Sequence, residues 1–160
     1  MKRNIPALAL MVGLTAACGP VTVDEIRATQ CPPVAPLATA NYLTAEGVTA
    51  HISDASLTCF INRENKDLVA EVTVFGTVDK TGTSLPFFVA ALNEQGEVLS
   101  RTQFKVAPSA AEFSYNLPHL AYGQFGSDNL KARLVVGFVL TPQQLRDNRA
   151  AYAKRIGFSR

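Results

Sequence analysis

The chain has 160 residues, of which 48% are hydrophobic and 18% charged, with 15 basic against 13 acidic side chains, three cysteines, two histidines and no tryptophan. Lys2 and Arg3 account for the whole basic excess, so everything beyond residue 17 is formally neutral. A neutral domain of about 140 residues suits one hydrophobic core, and it lacks the positive field that gives most non-specific affinity for phosphates, so nucleic acid is excluded as an expected partner.

Lys2 and Arg3 begin a short basic segment, Ile5 to Leu14 form a mostly apolar run, and Leu14-Thr15-Ala16-Ala17 brings small residues up to Cys18. This resembles a bacterial lipoprotein signal with its lipobox. The run is too short to span a hydrocarbon core, which takes roughly 20 apolar residues. Residues 1–17 are therefore expected to be removed and Cys18 to carry lipid, holding the protein to the periplasmic side of a membrane. An ordinary secretory signal cleaved after Ala17 would leave Cys18 as a free thiol and place the protein outside the cytoplasm all the same. Gly19 rather than aspartate follows the cysteine, which by resemblance to enteric sorting favours the outer membrane.

Residues 18–47 form the next unit, a tether over 19–30 and an arm over 31–47. Pro20, Pro32, Pro33 and Pro36 stiffen it, and no periodicity is sustained. With Cys18 lipidated, Cys31 and Cys59 remain, and an exported compartment favours their oxidation. The expected disulfide closes a loop of roughly 30 residues, corresponding to about 3 to 4 kcal/mol in the chain-entropy model. A redox pair or a thiolate metal site is disfavoured, because no C-x-x-C occurs and His51 and His119 stand far apart.

From Val48 to Thr141 apolar residues alternate with period two. Val48, Ala50 and Ile52 oppose Thr49 and His51; Leu57, Cys59 and Ile61 oppose Ser56 and Thr58. Leu68, Ala70, Val72, Val74 and Val78 form the longest such run, ended by the turn Asp79-Lys80-Thr81-Gly82. Asn93-Glu94-Gln95-Gly96 joins Leu85–Leu92 to Val98–Val106 as a hairpin. Phe113, Tyr115 and Leu117, then Ala132, Leu134, Val136, Phe138 and Leu140, give two more runs. About seven antiparallel strands predict an all-β sandwich of the immunoglobulin or fibronectin type III kind.

Leu85–Leu92 is apolar on both faces: Phe88, Ala90 and Leu92 are assigned to the core, and Phe87, Val89 and Ala91 to a second face that needs either a cover from the arm or the C-terminal helix or a partner.

Residues 142–160 switch period. Thr141 suits an N-cap, Pro142 the first helical position and Gln144 the capping-box position, which predicts a helix from about Pro142 to Ile156. Leu145, Tyr152 and Ile156 share its predicted docking face. Arg146, Arg149, Lys154, Arg155 and Arg160 against Asp147 leave this end strongly basic. Arg146, Arg149 and Arg155 are candidate contacts for an acidic partner or anionic headgroups.

Phe87-Phe88-Val89-Ala90-Ala91-Leu92, Gly96-Glu97-Val98-Leu99 and Val136-Gly137-Phe138-Val139-Leu140-Thr141-Pro142-Gln143-Gln144-Leu145 before Asn148-Arg149 resemble a family of small alphaproteobacterial lipoproteins. The resemblance extends to the signal, Cys31-Pro32 and Cys59. Its members show a similar "YFVAV", a "G-N-V-L" turn and a "VGFQLTPEQL-x-x-NR" ending; this chain departs at Phe87 and in its longer tail. The resemblance implies location and fold, and carries no reaction or catalytic residue.

No G-x-S-x-G, phosphate-binding glycine loop or His-Glu-x-x-His occurs. The expectation is a non-catalytic interaction or scaffold protein of the cell envelope, without cofactor or metal, attached to the membrane through Cys18 and meeting an envelope protein. The alternative is a binding module for a lipophilic or glycan ligand. A carrier predicts an apolar cavity of a few hundred Å³, and a scaffold predicts a solid core with an external apolar patch.

Overall fold

A computed structural model describes residues 31–45, 47–62, 64–124 and 131–157. The signal segment, Cys18, the tether and Arg160 lie outside the described residues. Within them the chain forms nine strands and one helix: β1 (Val34–Pro36), β2 (Tyr42–Ala45), β3 (Val48–Ile61), β4 (Asp67–Val78), β5 (Leu85–Leu92), β6 (Val98–Val106), β7 (Glu112–Asn116), β8 (Leu120–Gln124), β9 (Arg133–Phe138) and α1 (Pro142–Arg155). One sheet has the order β1-β9-β5-β6, with β1 parallel to β9 and the other pairs antiparallel. The second has the order β2-β3-β4-β7, and β8 shares the free side of β4 with β7. The two sheets enclose one main hydrophobic core, as expected for an immunoglobulin-like sandwich carrying a C-terminal helix.

Period-two alternation is what builds this core, since every second residue of a strand shares a face. Leu68, Ala70, Val72, Val74 and Val78 of β4 are all buried in it, as their alternation predicts. The two runs before them are one strand. β3 slips register between Ile52 and Asp54, so Ser53 is the extra residue of a β-bulge. The bulge moves the buried row from Val48, Ala50 and Ile52 to Ala55 and Cys59, which turns a change of phase in the sequence into a continuous inward face.

On β5 the expected assignment of faces is reversed. Phe87 and Val89 are both fully buried in the main core, while Phe88 and Ala90 point to the outer face of the sheet. The register decides this: Phe87 lies opposite Phe138 of β9 and Phe104 of β6, so the odd residues of β5 meet the inward residues of its neighbours. Phe87 anchors an aromatic cluster with ring centroids 4.9 Å from Phe138 and 5.8 Å from Phe104. Phe87 and Val89 therefore offer no surface to a partner.

Cys31 and Cys59 form the expected disulfide, with Cα atoms 5.7 Å apart and a sequence separation of 28. It ties the chain ahead of β1, at the edge of one sheet, to β3 of the other.

Candidate functional site

The outer face of β5 and β9 carries a second, smaller apolar cluster. Phe88 and Ala90 are buried there beneath the arm, with Ala40 buried against them and Leu37, Val135, Val139 and Leu140 packed around them. The arm is held by backbone hydrogen bonds on both sides of its turn: Leu37 N–H donates to Val136 C=O and Phe138 N–H to Ala40 C=O, each at 2.8 Å. Gly137 makes this close approach possible. A Cβ there would stand 2.8 Å from the Phe88 ring and 2.9 Å from Ala40 Cβ.

The cover is partial. Between the arm, β5, β6, β9 and the start of α1 runs a groove of about 350 Å³. Arg101, Ala90 and Val135 form one cross-strand row beneath it. Leu92 and Val98 flank one side, and Leu145 and Arg149 of α1 close in from the helix. The Arg101 guanidinium lies 4.6 Å from the Phe88 ring centroid, a cation–π contact at the edge of the apolar cluster.

Helix α1 reaches this place by a route different from the predicted one. Its cap is as expected: Thr141 Oγ1 accepts from Gln144 N–H at 3.3 Å, and Gln144 Oε1 accepts from Thr141 N–H at 2.8 Å. Its expected docking residues are not buried; Leu145 and Tyr152 are half-buried, and Ile156 is 50% exposed. Amide side chains attach the helix instead. Asn148 Nδ2 donates to the carbonyls of Tyr42 (2.8 Å) and Thr39 (3.2 Å), and Gln144 Nε2 to that of Thr44 (3.1 Å).

The spacing explains the match. Four residues of helix rise about 6 Å, and two residues of strand about 6.6 Å, so Gln144 and Asn148 meet alternate outward carbonyls of β2. β2 is an edge strand, and an edge strand presents unpaired carbonyls, which call for donors rather than apolar area.

The three candidate arginines are dispersed by the structure. Arg146 donates to Gln143 Oε1 at 2.6 Å and faces solvent. Arg149 lines the groove. Arg155 stands 5.5 Å from the Tyr42 ring centroid, beside the Tyr42–His51 stack, whose centroids are 4.1 Å apart. Burial, and then the positive charge of Arg155, hold His51 below the usual imidazole range. Tyr122 is pushed up to about 12 by burial and stays a neutral phenol. His119 packs edge-on against Phe60, apart from His51. Among the described residues no group of three or more His, Cys, Asp or Glu side chains is placed to hold a metal, and no helix is long and apolar enough to cross a membrane.

Arg101, Ala40, Leu37 and Asn148 are the site residues that sequence reasoning missed. Arg101 follows the exposed alternation of β6, and the arm has no period to mark Leu37 or Ala40. Asn148 stood only within the ending on which the sequence resemblance was noted. No family model, no curated protein and no solved structure matches this chain.

Proposed function

We propose that this chain is a non-catalytic interaction module of the bacterial cell envelope, a member of the small lipoprotein family that its ending resembles. Cys18 in its lipobox supplies the anchor, on the periplasmic side of the outer membrane, and the sandwich presents the groove beside α1 to an envelope component. The groove carries this reading. Among the described residues its walls bear apolar side chains, the Thr39 hydroxyl and two arginines, and no carboxylate, imidazole or thiol. General acid–base or nucleophilic work needs such groups converging on a substrate, whereas holding a partner needs apolar area and complementary charge.

The same walls favour a second reading, a binding module for a lipophilic ligand. A glycan would ask for a dense set of polar contacts, which these walls do not offer. The experiment for the interaction role is photo-crosslinking of the lipidated protein in native membranes, from a photoreactive residue at Val98 at the groove or at Lys80 in the turn after β4. A defined envelope adduct from Val98, lost when Ala90→Leu fills the groove, is the expected result. Identical products from both positions would refute the groove as the contact surface.

A further inference from the structure

We propose that the groove binds a single-chain anionic amphiphile, with its acyl chain along the Ala90–Val135 floor and its carboxylate held by Arg101 and Arg149. This rests on the ligand-binding reading above and names the ligand's chemistry.

The floor argues for an acyl chain over a peptide. β5 and β9 are interior strands of their sheet, and their backbone groups are paired with β6, with each other and with β1. An extended peptide laid across them would bury its own N–H and C=O groups without partners, at a cost comparable to lost hydrogen bonds. An acyl chain has no such groups. Ala90 matters because its short side chain leaves the floor low between Phe88 and Leu92. The volume of about 350 Å³ falls in the range of small-molecule sites.

The charge argues for an anionic head. Among the described residues Arg101 and Arg149 are the only charged side chains on the walls, they come from different elements, β6 and α1, and neither pairs with a carboxylate. Seating on Phe88 occupies one face of the Arg101 guanidinium and leaves its N–H edge to donate. A planar fork of donors matches a carboxylate in bidentate geometry, which a cationic or neutral head cannot use.

The test uses the mature chain, residues 18–160, with Cys18→Ser so that no acyl group of its own competes. Laurate, dodecyltrimethylammonium and dodecyl maltoside share one tail and differ in head. Each is titrated below its micelle concentration by calorimetry. Laurate is expected to bind at least tenfold tighter than the other two. Arg101→Gln with Arg149→Gln should weaken laurate at least tenfold, and Lys154→Gln, a charge lost elsewhere on the helix, should leave it unchanged. Ala90→Leu should abolish binding of all three.

Thermal melts establish that each variant is folded. Should the double variant fail to fold, Arg149→Lys keeps the charge without the fork and should weaken laurate by a smaller factor. Equal affinity for the three heads, undiminished binding by the double variant, an acidic apolar peptide bound in place of laurate, or dimerisation through this face would each overturn the proposal. Absence of laurate binding with a persistent Val98 adduct overturns the amphiphile alone. Loss of both overturns the interaction reading as well.

Discussion

Gly137 and His51 show how single residues constrain this molecule. Gly137 has no side chain because the Phe88 ring and Ala40 occupy the space above it. Gly137→Ala should destabilise the domain by about 1 to 3 kcal/mol, the usual cost of overpacking, as read by urea unfolding. Phe88→Leu in the same chain should recover part of that loss.

His51 is held neutral by burial and by Arg155, so its folded pKa lies below the unfolded value of about 6.5. The unfolded chain then binds more protons as pH falls through about 6.5 toward the folded pKa, and stability falls with it. Melting temperatures at pH 7.5 and 5.5 should differ less in His51→Gln than in the parent chain. An unchanged difference would assign the acid sensitivity to other groups.

At the scale of elements, α1 is a cover more than a core helix. None of its residues is fully buried, yet it satisfies the outward carbonyls of β2 through Gln144 and Asn148. Asn148→Ala should cost about 1 kcal/mol, since each hydrogen bond contributes roughly 0.5 to 1.5 kcal/mol net and water can reach the freed carbonyls. Truncation after Thr141 should produce a moderate loss of stability together with self-association, because it bares an edge strand. Sedimentation velocity distinguishes the outcomes: a truncated chain that stays monomeric would show that β2 needs no cover. The segment from Gly137 through Arg149 thus forms a seat for the arm, a cap, an edge cover and a groove wall in succession, which gives structural work to the ending that carries the family resemblance.

Across the whole molecule, the disulfide and the arm join the two sheets in addition to the chain crossings from β4 to β5 and from β6 to β7. Replacing Cys31 or Cys59 by serine should lower unfolding free energy by about 2 to 4 kcal/mol, measured against the parent under non-reducing conditions. The denatured mature parent should yield no free thiol from this pair. The proposed attachment to the membrane is a separate matter and would rest on Cys18. Cys18→Ser should shift the protein out of the detergent phase, because stable anchoring takes two or more hydrophobic signals; unchanged partitioning would remove the lipid anchor from the account.

The fold class, the hairpin of β5 and β6, the run of β4, the capping box and the pairing of Cys31 with Cys59 were all legible in the sequence. Each depends on local period, on turn and cap chemistry, or, for the cysteines, on the expectation that Cys18 is taken up by lipid. The groove was not legible. Leu85–Leu92 is apolar on both faces, and a period of two cannot say which face is inside; register against Phe104 and Phe138 decides it. β1, β2 and β8 are short and lack a clear alternation, so neighbouring strands rather than their own residues define them. Arg101, Ala40 and Arg149 are separated along the chain, and only the packing of arm, sheet and helix brings them to one cleft. Local pattern specifies elements because it acts over a few bonds, and a site made across the arm, three strands and a helix is specified by tertiary contact alone.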